Sequence, residues 1–147
     1  YTLSLRDALP ISVEKELSFI HSYFQLLKTR YGDALQMRMD IDERYFPFLL
    51  PSLSLQLLVE NAVKHNVVVQ TRPLQVLIYT DEEANLVVEN NLQKKTSTAY
   101  SSRRGLSNVI AKYKILTEQS IDIEETGEYF RVAVPLIRNK SYAGIDH

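Results

Sequence analysis

The chain reads as a two-layer α/β sandwich, with helices on one face of a mixed, mostly antiparallel sheet. Three observations lead there. Apolar stripes at helical spacing stand between groups of short strand-like runs, the order that puts helices against a sheet. The strand-like runs are bounded by turn residues, as in DEEAN and TGE. A length of 147 residues is that of one domain large enough to bury a core.

The first helix is marked by Val13, Leu17, Ile20, Phe24, Leu27 and Tyr31, which recur at steps of four and three. Ser12 suits its N-cap, and Gly32 suits its end. In LQMRMDI, residues Leu35, Met37, Met39 and Ile41 alternate with polar neighbours, which predicts a half-buried strand. The segment Pro47 to Leu50 then leads into Pro51, a suitable first-turn residue for the next helix. In that helix Leu55, Leu58, Val59 and Ala62 recur at i, i+3, i+4 and i+7 and would face a core. Asn61, Lys64 and His65 gather on the adjoining arc.

Leu74 to Tyr79 and Leu86 to Glu89 predict two more strands, joined at DEEAN. Asn90 to Arg104 is rich in Lys, Ser, Thr and Asn and lacks periodicity. A loop of about 15 residues inside a compact domain is usually functional, and its place before a helix suits a lid. Leu106, Val109, Ile110, Tyr113 and Leu116 predict the third helix, with Gly105 at its start. Ser120 to Glu124 and Tyr129 to Ile137 form a closing hairpin. The domain so defined covers 13–137, and 138–147 is expected to be a loose tail. The leader 1–12, YTLSLRDALPIS, matches the rest poorly. It resembles translated adapter read-through and is set aside as non-native.

Composition narrows the function. Seventeen basic against 18 acidic residues, a net charge of −1, give no reason to expect nucleic acid or an anionic membrane as partner. The absence of cysteine excludes disulfides and thiolate metal sites and fits a reducing compartment. No apolar run approaches the roughly 20 residues of a membrane-spanning helix.

The chemistry concentrates in LSLQLLVENAVKHN. An Asn carbonyl such as that of Asn61 is a hard oxygen suited to Mg²⁺, and an ammonium one turn on, at Lys64, suits phosphate oxygens. The run PSLSLQLLVENAVKHN resembles the N-box of LytS/YehU-type sensor histidine kinases, members of the gyrase, Hsp90, histidine kinase and MutL superfamily. The resemblance extends from about Val13 to Ile137, through VEKELSFIHSYFQLLKTRYGD, VVENN, RGLSNVIAKYKILT and IEETGEYFRVAVPLI.

That resemblance implies the Bergerat-type ATP-binding fold, ATP with Mg²⁺ as cofactors, and Asn61 as the metal-holding Asn. Lys64 and His65 would lie toward the nucleotide. Glu60, beside Asn61, suits a general base or a group that orients the acceptor imidazole. The γ-phosphate would pass to a His on an upstream dimerisation segment and then to a response regulator. The implied setting is a cytoplasmic domain of a membrane-anchored parent, truncated at its N-terminus. In this family the acceptor His lies in a motif like N-P-H-F-L-F-N. HSYFQLL around His21 does not match it, so the fragment alone is not expected to autophosphorylate.

Two departures bear on affinity. The family's D-x-G-x-G is represented by Asn90-Asn91-Leu92-Gln93, so a neutral amide replaces the adenine-binding carboxylate, a loss of ~1 kcal/mol. The family's G-x-G-L-x-N is represented by Arg103-Arg104-Gly105-Leu106-Ser107-Asn108. It keeps one glycine, the Leu and the Asn, and gains two guanidinium groups suited to phosphate. These departures motivate a rival expectation, a degenerate non-catalytic scaffold or dimerisation domain that retains the fold.

Overall fold

The computed structural model describes residues 9–93 and 102–139, with backbone alone for 102–105. Its elements are β1 (Pro10–Ser12), α1 (Val13–Tyr31), β2 (Leu35–Asp40), β3 (Leu49–Pro51), α2 (Ser54–Lys64), β4 (Leu74–Thr80), β5 (Asn85–Asn91), α3 (Ser102–Leu116), β6 (Asp122–Glu125) and β7 (Tyr129–Pro135).

Local signals set the ends of α1 as expected. Ser12 Oγ accepts from Lys15 N at 3.1 Å. Gly32, at φ 56°, donates its N–H to Lys28 O, a backbone conformation that favours glycine. The stripe of α1 is buried at Val13, Ile20 and Leu27, and a carboxylate, Glu16, is buried among them.

Five strands form the main sheet in the order β2-β4-β5-β7-β6. β2 and β4 run parallel, Leu35 opposite Leu74, because the connection between them carries α2. The other pairs are antiparallel; β4–β5 and β6–β7 are hairpins with tight turns, whereas α3 and β6 intervene between β5 and β7. Asp81 Oδ1 shapes the β4–β5 turn by accepting from Glu83 N at 2.9 Å and Asn85 N at 3.0 Å. Thr126 Oγ1 does the same for β6–β7, accepting from Glu128 N and Tyr129 N.

Alternation decides which face meets the helices. Leu74, Val76 and Ile78 are buried while Gln75 and Leu77 are exposed. The inward residues, with Leu86, Val88, Val132 and Val134, share one core with Ile20, Leu55, Leu58, Val59, Val109 and Tyr113 of the three helices. The opposite face mixes Leu77, Val87 and Ala133 with polar pairs: Tyr79 Oη donates to Glu89, and Arg131 pairs with Glu124 at 2.7 Å. This is the two-layer arrangement that the sequence predicts.

Two local expectations are corrected, and the end of the leader is placed. Pro51 ends β3 rather than opening α2, because Leu49–Pro51 pairs with β1 and Leu49 exchanges backbone hydrogen bonds with Ile137. α3 begins at Ser102, so Gly105 lies inside its first turn and not at its start. The final residues of the leader join the fold, since Pro10–Ser12 pairs with β3 and Leu9 O accepts from Ser52 N. Residues 1–8, 94–101 and 140–147, which include most of the expected lid and tail, lie outside the described residues.

Candidate functional site

The candidate site is built from the second half of α2, the loop after it, the end of β5 and Phe130 of β7. As the spacing predicts, Leu55, Leu58, Val59 and Ala62 turn into the core. Asn61 is 6% exposed, and its Oδ1 is buried without a hydrogen-bond partner among the described residues. His65 follows one turn on, also buried, and its backbone N–H donates to Asn61 O.

The loop after α2 is tied down by amides. Asn66 Nδ2 donates to Ala62 O at 2.7 Å, and Asn66 Oδ1 accepts from Gln93 N at 2.8 Å. Gln93 Nε2 donates to both Val67 O and Arg72 O at 2.9 Å. Across from α2, Asn90 is 3% exposed and donates from Nδ2 to Asn91 O at 2.8 Å. Between them lies a cavity of about 20 Å³ lined by Asn61, His65, Asn66, Asn90, Leu92 and Phe130. That volume admits a water molecule and not a nucleobase.

The predicted arc of α2 divides. Asn61 and His65 reach the cavity, whereas Lys64 pairs with Glu60 at 3.4 Å, their side chains 70% and 39% exposed. Glu60 faces α1: burial first, and then its charge, raise the Tyr23 phenol above its ordinary value. On α3, Leu106 is packed into the core and Asn108 is exposed. Arg103, Arg104 and Gly105 belong to the first turn of α3, and the two arginine side chains lie outside the described residues.

Asn66 and Gln93 carry no sequence signal that distinguishes them from surface amides. Glu16 and Lys112 were equally unassigned from the sequence. Glu16 does have a local signature, since it stands at i+3 from Val13 and i−4 from Ile20, inside the apolar stripe. Among the described residues no group of three or more His, Asp or Glu side chains is placed to hold a metal ion. Nor is any of their helices long and apolar enough to cross a membrane.

No family model matches the chain. Curated relatives do. The sensor protein LytS of Staphylococcus saprophyticus is 46% identical over 55 residues, 37% of this chain and 9% of the relative. The sensor histidine kinase YpdA of Escherichia coli is 40% identical over 67 residues, 46% of this chain and 12% of the relative. The chain thus matches about a tenth of the length of these proteins. Among solved structures, the catalytic domain of histidine kinase ThkA superposes with a TM-score of 0.58 at 12% identity, covering 89% of this chain and 98% of that one. The histidine kinase AdeS of Acinetobacter baumannii gives a TM-score of 0.56 at 12% identity, covering 88% and 68%.

Proposed function

We propose that this chain, a relative of the LytS-type sensor histidine kinases built on the fold of a histidine kinase catalytic domain, is the ATP-binding unit of such a kinase. The observation that carries the reading is the buried carbonyl oxygen of Asn61, which has no hydrogen-bond partner among the described residues. A buried acceptor left unpaired costs ~1–3 kcal/mol, so a ligand for it is expected. Mg²⁺ fits: it takes hard oxygens, keeps several waters and uses one or two protein oxygens together with nucleotide phosphates.

On this reading Asn61 would hold the ion and His65 would line the same wall. Asn90 would accept from the nucleobase. The first turn of α3, with Arg103, Arg104 and Gly105, would meet the phosphates with free backbone N–H groups and the positive end of the helix dipole. Leu106 anchors that turn in the core, and Asn108 stands on its outer side. Glu60 and Lys64 would part as nucleotide arrives, Lys64 toward phosphate and Glu60 toward the acceptor imidazole. When bound, Mg²⁺ would neutralise charge on the phosphates. The work of the protein is then positioning and charge complementarity. The cavity must widen for this, by movement of the side chains that line it.

The γ-phosphate would pass to a His on a helical segment outside this sequence, from the partner protomer of a homodimer, and then to a response regulator. The parent protein would be membrane-anchored, with this domain on the cytoplasmic side. Calorimetric titration of Mg-ATP tests the reading. A saturable, Mg²⁺-dependent heat is expected. Its absence at millimolar nucleotide would overturn the proposal and favour a scaffold without nucleotide chemistry.

A further inference from the structure

Helix α2 lacks a cap of its own. Leu53 at its N-cap stands at φ 65° and offers no side-chain acceptor, and Ser54 Oγ donates backward to Pro51 O at 2.7 Å. The free amides are met instead from another helix. Glu16 of α1, 1% exposed, accepts from Leu53 N through Oε1 and from Leu55 N through Oε2, each at 3.0 Å. From a third side, Lys112 of α3, 7% exposed, donates from Nζ to Ser52 O at 2.9 Å. The Lys112 charge also acts on the Glu16 carboxylate.

A carboxylate at a helix N-terminus is favoured by the unpaired N–H groups and the dipole. A buried ammonium beside it offsets part of the cost of desolvating both charges. All three helices therefore meet at one pair of ionisable side chains. Neither of these lines the cavity beside Asn61.

We propose that Glu16 and Lys112 form a positioning clasp that sets α2, and with it Asn61 and His65, from α1 and α3. α1 supplies the cap that α2 lacks and α3 supplies the counter-charge, so a displacement of α1 reaches the nucleotide site as withdrawal of that cap. The consequence for nucleotide rests on the function proposed above. The clasp itself requires no ligand.

The test uses the full chain with Glu16→Gln, Lys112→Met and the double substitution. Amide exchange is followed residue by residue by NMR, with the Asn61 side-chain amide and the His65 ring as reporters. Glu16→Gln should speed exchange at Leu53 and Leu55 by about tenfold, as loss of a charge-assisted hydrogen bond implies, with β4, β5 and β7 unchanged. It should also shift both reporters. The double variant should regain part of the melting midpoint lost by Lys112→Met alone, because it leaves no unpaired buried charge. Unshifted reporters, or strictly additive midpoints, would overturn the clasp. Mg-ATP titrated into the same variants should bind ~fivefold more weakly to Glu16→Gln, the low end of coupling between sites. Equal affinity for wild type and Glu16→Gln would overturn the coupling. If wild type takes up no nucleotide, the functional reading fails while exchange and reporters still decide the clasp.

Discussion

Replacing Asn61 with alanine should strengthen the ligand-free protein while removing its Mg-ATP binding. The unpaired Oδ1 costs ~1–3 kcal/mol that the substitution returns. Alanine in mid-helix adds up to ~0.5 kcal/mol of propensity. Against this, a cavity of a few tens of Å³ at ~24 cal/mol per Å³ takes back about 1 kcal/mol. The balance is a gain of roughly 0.5–2 kcal/mol, which raises Tm by about 2–6 °C for a domain of this size. Loss of a metal ligand should weaken Mg-ATP by at least the ~10–100-fold that loss of an outer-shell partner costs. Differential scanning calorimetry without nucleotide and titration calorimetry with it measure both quantities on one preparation. A fall in Tm of more than about 4 °C would make Asn61 a structural amide and refute the reasoning, whatever happened to affinity.

Four further outcomes follow from the same geometry. Asn90→Asp should cost the ligand-free protein ~1–3 kcal/mol, because a carboxylate replaces the amide that donates to Asn91 O. In ATP titrations it should bind about fivefold more tightly, and unchanged affinity would count against the base lying there. Lys64→Ala should leave Tm within about 2 °C, since an exposed i,i+4 pair contributes ~0.5 kcal/mol or less. It should also weaken Mg-ATP, and unaltered affinity would remove Lys64 from the site. The Tyr113 hydroxyl is buried without a partner among the described residues, so Tyr113→Phe should raise Tm by about 2–4 °C; a lower Tm would reveal a partner. Finally, burial holds the Glu16 carboxyl above its ordinary 4.5, against the amides of Leu55 and Leu53 and the charge of Lys112. A carboxyl raised on folding adds stability below its unfolded pKa that is lost as pH rises through the folded value. Wild-type stability relative to Glu16→Gln should therefore decline above pH 4.5, and a flat or rising difference in urea melts would contradict this.

The readable parts of the fold are those whose signal is short. The α1 stripe and its Ser12 and Gly32 ends, the apolar arc of α2, the alternation in β2 and the closing hairpin each depend on residues within a few positions of one another. Asn61 stood out for the same reason, as a mediocre helix former in mid-helix beside a complete apolar arc. Pro51 misled because its preference for a helix start is local, whereas its place in β3 comes from pairing with Pro10 and from the Leu49–Ile137 bridge. Gly105 misled in the same way, as a start signal inside a helix that begins three residues earlier.

The amino-acid order by itself determined the alternation of helices and strands, the face each buries, and the grouping of Asn61 with His65, because periodicity is a property of neighbours along the chain. Only the tertiary structure decided that Gln93 ties the loop after α2 and that Glu16 caps a helix it does not belong to. Glu16 meets Leu53 and Leu55 across 37 and 39 residues, and Lys112 meets Ser52 across 60. A buried charge finds its partner wherever packing brings one close, and distance along the chain does not encode that proximity.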